Sequence, residues 1–122
     1  MGGFYLYSQN NSGGYYVQDK KIGIGNYLFI WGESCKEANE KAKSLGLFSL
    51  SFCECCGSRF SPLWEGSEPM KEGEKISFFS LSENIYIFLH HESGEIQEVI
   101  IPSYHWDDLQ YVWMNNSPNI LC

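Results

Sequence analysis

Cys53-Glu54-Cys55-Cys56-Gly57-Ser58-Arg59-Phe60-Ser61-Pro62-Leu63-Trp64 holds three of the chain's five cysteines, its only arginine and a tryptophan. Two chemistries can be read from it. Cys53-x-x-Cys56-Gly57 has the spacing of a zinc knuckle, in which a tight turn aims two thiolates at one metal and glycine relieves the turn. That is half of a four-ligand site. The rest would have to come from Cys55, Cys35, Cys122, His90, His91, His105 or a neighbouring chain. Zinc on Cys53, Cys55 and Cys56 is thus allowed but not required, since the same residues can form a compact turn without metal. The second chemistry belongs to Arg59. A guanidinium fork binds phosphate through two parallel bonds, and Phe60 and Trp64 beside it offer aromatic faces on which a base could stack. The alternative is an arginine that bridges surface carboxylates.

A further anion contact is available in Asn11-Ser12-Gly13-Gly14. Consecutive glycines let backbone N–H groups converge on a phosphate, so Ser12, Gly13 and Gly14 are candidate ligand contacts, or else the tip of a plain hairpin connection. Catalysis has less to stand on. A cysteine nucleophile needs a base beside its thiolate, and no spacing here supplies one. His105 lies near Asp107 and Asp108, but nothing joins that group to a cysteine. No catalytic residue is assigned.

The composition narrows the partners. Fifteen acidic residues against eight basic ones leave a net charge of −7, a field that repels a DNA or RNA duplex. A small phosphorylated ligand needs only a local anion site. With 43% apolar and 16% aromatic residues in 122, the chain should fold around one core, with aromatics left over for a surface. That surplus and an aromatic tail favour a homo-oligomer. No apolar run reaches the roughly 18–20 residues that span a bilayer. Met1-Gly2-Gly3-Phe4 lacks a signal peptide's features, so a cytoplasmic location with reduced thiols is expected.

The elements that must position these residues read as a small α+β domain: an antiparallel sheet, one amphipathic helix packed on it and the cysteine-rich loop. Phe4 to Tyr7 is β-prone, with a return strand expected through Tyr15 to Val17. Asn26 to Trp31 is apolar on both faces, as a central strand would be. Ser34 and Glu37 have capping-box spacing, Cys35, Ala38, Ala42 and Leu45 share one helical face, and Gly46 can end the helix. Cys35 is therefore expected in the core. Leu47 to Phe52 and Lys75 to Leu81 look strand-like. Ile85 to His91 and Glu95 to Ile101 make the strongest hairpin, and a two-residue Ser93-Gly94 turn would set Phe88 opposite Val99 and Tyr86 opposite Ile101. Residues 1–122 thus divide into a βαβ-like half at 1–64, a surface linker at 65–74, the hairpin at 85–101 and a docked tail at 102–122.

Taken together, Asn11-Ser12-Gly13-Gly14, the helix with Glu37-Ala38-Asn39 and Ala42, and Cys53-x-Cys55-Cys56-Gly57-x-Arg59-Phe60 resemble a group of small proteins encoded by tailed bacteriophages. The likeness covers the first half, and Phe60 stands where the group would have tryptophan. Small phage proteins often counter bacterial immunity, and some sequester nucleotide second messengers. The resemblance implies a non-catalytic binder, active in the infected host's cytoplasm, that captures a cyclic oligonucleotide or a cyclic ADP-ribose type of signal. The alternatives are a zinc-stabilised module that inhibits a host protein, and a small cysteine-dependent enzyme.

Overall fold

The computed structural model describes residues 2–9, 16–49, 52–53, 57–58, 60–78, 84–102 and 110–121. Its centre is a four-stranded sheet in the order β1 (Gly3–Ser8), β2 (Tyr27–Gly32), β6 (Asn84–His90), β7 (Ile96–Pro102). The helix α1 (Cys35–Ser44) follows β2, and short pieces β3 (Phe52–Cys53), β4 (Gly57–Ser58) and β5 (Lys75–Ile76) precede β6. The chain ends in the hairpin of β8 (Gln110–Met114) and β9 (Ser117–Leu121), which joins β5 in a second, antiparallel sheet.

Strand alternation explains the three layers. In β1 and β2, Phe4, Tyr27 and Phe29 face one side, where with Ile85, Ile87 and Leu89 they pack on Tyr111 and Trp113 of the second sheet. Tyr5, Tyr7, Leu28 and Ile30 face the other, against Cys35, Ala38 and Ala42 of α1, Leu47 and Phe60. A strand covered on both faces needs no polar positions, which is why β2 reads as a nearly unbroken apolar run. The Trp113 ring lies 4.6 Å from Phe29 and 5.4 Å from Phe4, so the β8–β9 hairpin is anchored in the core through β8. Asn115 and Asn116 turn that hairpin with positive φ, the geometry of a primed turn.

The helix begins as its spacing predicts, with Glu37 N–H donating to Ser34 Oγ at 3.2 Å, and Lys41 pairs with Glu37 at 3.3 Å. Four expectations change. The main sheet is mixed, because β2 and β6 run parallel from Tyr27 opposite Ile87 to Ile30 opposite His90. A strand that feeds a helix can regain the sheet in the same direction, and periodicity carries no record of which partner it meets. The β6–β7 hairpin is shifted by one residue, pairing Phe88 with Glu98, Tyr86 with Ile100 and Ile87 with Val99. Its loop is a turn closed by Gly94 N–H to His91 O, after which Gly94 takes φ 93°, adding the residue that displaces the register. Leu47–Ser49 is a 3₁₀ turn with Leu47 fully buried, and only Lys75–Ile76 of the 75–81 stretch is described as strand.

The fourth change concerns the start of the chain, where β1 pairs with β2 and residues 16–18 form no return strand. The side chain of Gln9, 7% exposed, takes the place of a strand partner. It accepts from Val17 N–H at 2.6 Å and donates to the carbonyls of Val17 and Gly25 at 3.0 and 2.8 Å. Residues 65–74 stay on the surface but are tied down: Met70 N–H donates to Phe4 O, and Gly73 N–H to Trp113 O.

Candidate functional site

Cys35 and Asn39, one helical turn apart on α1, face the segment that follows the cysteine-rich stretch. Asn39 Oδ1 accepts from Leu63 N–H at 3.0 Å while its Nδ2 donates to Leu63 O at 2.9 Å. The side-chain amide thus completes the peptide of Leu63 as a neighbouring strand would. Tyr7 O–H donates to the same Oδ1 at 2.7 Å, locking the amide's orientation from below. The Cys35 thiol then donates to Trp64 O at 3.2 Å, and Ser67 N–H donates to that carbonyl at 2.8 Å.

With its backbone held in this way, the Trp64 side chain is still 78% exposed. Gly66 makes room for it, because a Cβ there would lie 2.2 Å from the indole. Burial pushes the Cys35 thiol up, with the Glu65 charge acting in the same direction and a bond to the Ser67 side chain opposing. Cys35 is therefore a protonated hydrogen-bond donor in the core, as its helical position predicts, and not a thiolate. Burial likewise raises Tyr7, which keeps the proton it donates to Asn39.

The structure separates residues that the sequence groups together. Phe60 is 1% exposed, packed beneath α1 with Leu28 and Ile30, so it has no free face for a base and is a core residue. Trp64 alone of the two presents an aromatic surface. Cys53 lies in β3, where it is paired with Gly57 of β4, which draws together the ends of the Cys-x-Cys-Cys-Gly segment. Arg59, Cys55, Cys56, Ser12, Gly13 and Gly14 lie outside the described residues, as do His105 and Cys122. Among the described residues, no group of three or more His, Cys, Asp or Glu side chains is placed to hold a metal ion.

A second region was not evident from the sequence. At the carboxyl ends of β2 and β6, a hollow of about 330 Å³ opens between the C-terminal half of α1 and the tip of the β6–β7 hairpin, floored by Ile30 and rimmed by Lys41, His90 and Glu92. Lys41 Nζ donates to Trp31 O at 2.8 Å and lies 5.1 Å from the Trp31 ring centroid. His90 Nε2 bonds to Gly23 O at 2.8 Å; a carbonyl only accepts, so Nε2 carries the proton and Nδ1 is the ring's acceptor. Burial holds His90 below the ordinary histidine value, with the Gly23 bond opposing and His91 adding to the decrease. His91 also lines the hollow, with its ring edge-on to Phe4 at 5.3 Å and its Nε2 2.9 Å from Gln97 Oε1. Adjacent histidines at the end of an apolar strand were the available signal, but the partner elements are far away in sequence.

The chain belongs to DUF7296, a domain of unknown function, whose family model matches residues 2–106. Neither the curated proteins nor the solved structures contain a match to it. Among the described residues, no helix is long and apolar enough to cross a membrane.

Proposed function

We propose that this protein is a non-catalytic binder that captures a small nucleotide-derived ligand, with the indole of Trp64 as the platform for a base. The observation that carries this reading is the contrast at Trp64 itself: a large apolar ring left 78% exposed on a backbone that Cys35, Asn39 and Ser67 hold in place. Leaving such a ring in water forgoes the burial energy that the rest of the fold uses, and fixing its support lowers the ordering cost of binding. Arg59 follows β4 directly and supplies the phosphate fork, and the Gly13-Gly14 amides supply a second anion contact.

Stacking contributes roughly 1–3 kcal/mol per base, and a charge-assisted bond about 1.5–3 kcal/mol. A few such contacts reach the roughly 8 kcal/mol of micromolar affinity once ordering is cheap. The phage resemblance supplies the setting: sequestration of a cyclic oligonucleotide or cyclic ADP-ribose type of immune signal in the infected cell, by a homo-oligomer. Calorimetry against cyclic dinucleotides, cyclic trinucleotides and cyclic ADP-ribose isomers tests the reading. We expect one class to bind, with a loss of about tenfold or more in Trp64→Ala and in Arg59→Ala. If every member fails below about 100 micromolar, the nucleotide reading is lost and Trp64 is better read as an anchor for a protein partner.

A further inference from the structure

We infer that the hollow at the carboxyl ends of β2 and β6 is a separate ligand site, and that it takes a small monocarboxylate with an apolar body. Its place in the fold is the first reason. Sheets with parallel neighbours leave a crevice beyond the carboxyl ends of those strands, and Ile30 and His90 are the last pair in register there. At about 330 Å³ the hollow is at the small end of the roughly 300–1,000 Å³ of ligand pockets.

Its lining specifies the ligand's body. The floor is Ile30, fully buried, and the walls include Leu45 and Ile96, the latter 39% exposed although it is a branched aliphatic residue in a strand. Such a surface favours hydrocarbon. Lys41 specifies the charge. Its ammonium is held by the Trp31 carbonyl at 2.8 Å, the Glu37 carboxylate at 3.3 Å and the Trp31 ring, so the cation is in place before a ligand arrives. The Lys41 side chain stays 40% exposed in this arrangement, so a bound anion can approach it from the hollow.

A carboxylate fits better than a phosphate. Phosphate dianions are held by guanidinium forks or converging backbone N–H groups. Among the described residues the lining contains no arginine, and the Gly94 N–H already donates to His91 O. Glu92, also in the lining, repels a ligand in proportion to its charge, which disfavours dianions further. Of the two histidines in the lining, His90 is neutral and bonded to Gly23 O, and His91 has its Nε2 engaged by Gln97 Oε1 at 2.9 Å.

Phenylacetate is a suitable probe, with phenylacetamide as its neutral counterpart, in an amide-resolved NMR titration of the full chain. The expected result is saturable shifts at Ile30, Leu45 and His90, with the amide binding about tenfold more weakly than the acid. Lys41→Met removes the charge at similar side-chain length and should abolish the preference for the acid, whereas Trp64→Ala should leave both titrations unchanged. The proposal is overturned by any of four results: no saturation by about 20 mM, equal binding of acid and amide, shifts centred away from the hollow, or loss of the response in Trp64→Ala. The acid–amide comparison on the unmodified protein decides the matter even where Lys41→Met does not fold. Because Trp64 is not involved, failure here leaves the nucleotide reading standing, and the reverse also holds.

Discussion

Near the start of α1 an indole stands open to solvent over a backbone pinned by Cys35 and Asn39, whereas further along the same helix Lys41 lies folded onto Trp31 at the rim of a hollow floored by buried Ile30. In the first region neutral hydrogen bonds fix the main chain and leave the side chain free to act. In the second, the side chain itself is fixed and the open space lies beside it. One helix therefore supports two different surface features, an exposed aromatic ring and a hollow beside a restrained cation. The comparison teaches that a helix's contribution depends on which atoms it restrains, since its amphipathic face alone would only dock it to the sheet.

The sharpest test compares the two aromatics that sequence reasoning paired. Phe60→Ala should destabilise the fold by about 3–5 kcal/mol in denaturant titration, because it empties a fully packed position beneath α1. Little change would mean that the loop is not seated under the helix, and the platform would lose its support. Asn39→Ala comes next. It leaves the Leu63 peptide without its partner and removes the acceptor of Tyr7 O–H, a loss of about 2–3 kcal/mol. It should also raise the mobility of Trp64 in fluorescence anisotropy. A destabilised variant whose indole stays as rigid as the parent's would separate stability from presentation and break the clamp argument.

The crevice side gives a pH dependence. His90 binds its proton less readily in the folded protein than in the unfolded chain, because burial outweighs the Gly23 bond. On acidification the unfolded chain is protonated first, so this contribution is fully present above about pH 6.5. It declines as the pH falls through the lower native value. Melting temperatures of the parent should therefore drop between neutral and mildly acidic pH more than those of His90→Gln; parallel curves would show that the ring is not desolvated. The smallest effect on stability is expected at Trp64. Trp64→Ala should change unfolding free energy by no more than about 0.5 kcal/mol, as for surface positions, while removing the proposed stacking contact. A large loss of stability would make it a structural residue and end the contrast.

Much of the architecture was legible because it is local. The Ser34 cap, the buried face of Cys35, Ala38 and Ala42, and the apolar run of β2 follow from spacing and alternation within a few residues. The parallel pairing of β2 with β6 did not, since nothing in either strand names its neighbour. The hairpin register failed on a single residue, Gly94, whose positive φ lengthens the loop by one position. At the site, Trp64 was legible as an aromatic beside Arg59, but Phe60 looked equivalent until burial distinguished them. Asn39 stood out only as part of Glu37-Ala38-Asn39 and Lys41 only by its i,i+4 spacing from Glu37, because the Leu63 peptide and the Trp31 carbonyl that they bond are brought near by tertiary structure.

Gln9 has a bearing on how such a chain can vary. Its amide joins the two ends of the stretch between β1 and Val17 and ties both to Gly25. Once the ends of a loop are fixed, each doubling of its length adds only about 0.6 kcal/mol of closure cost. By that measure, inserting residues between Gln9 and Val17 should cost the fold little, and denaturant titration of a lengthened variant checks it.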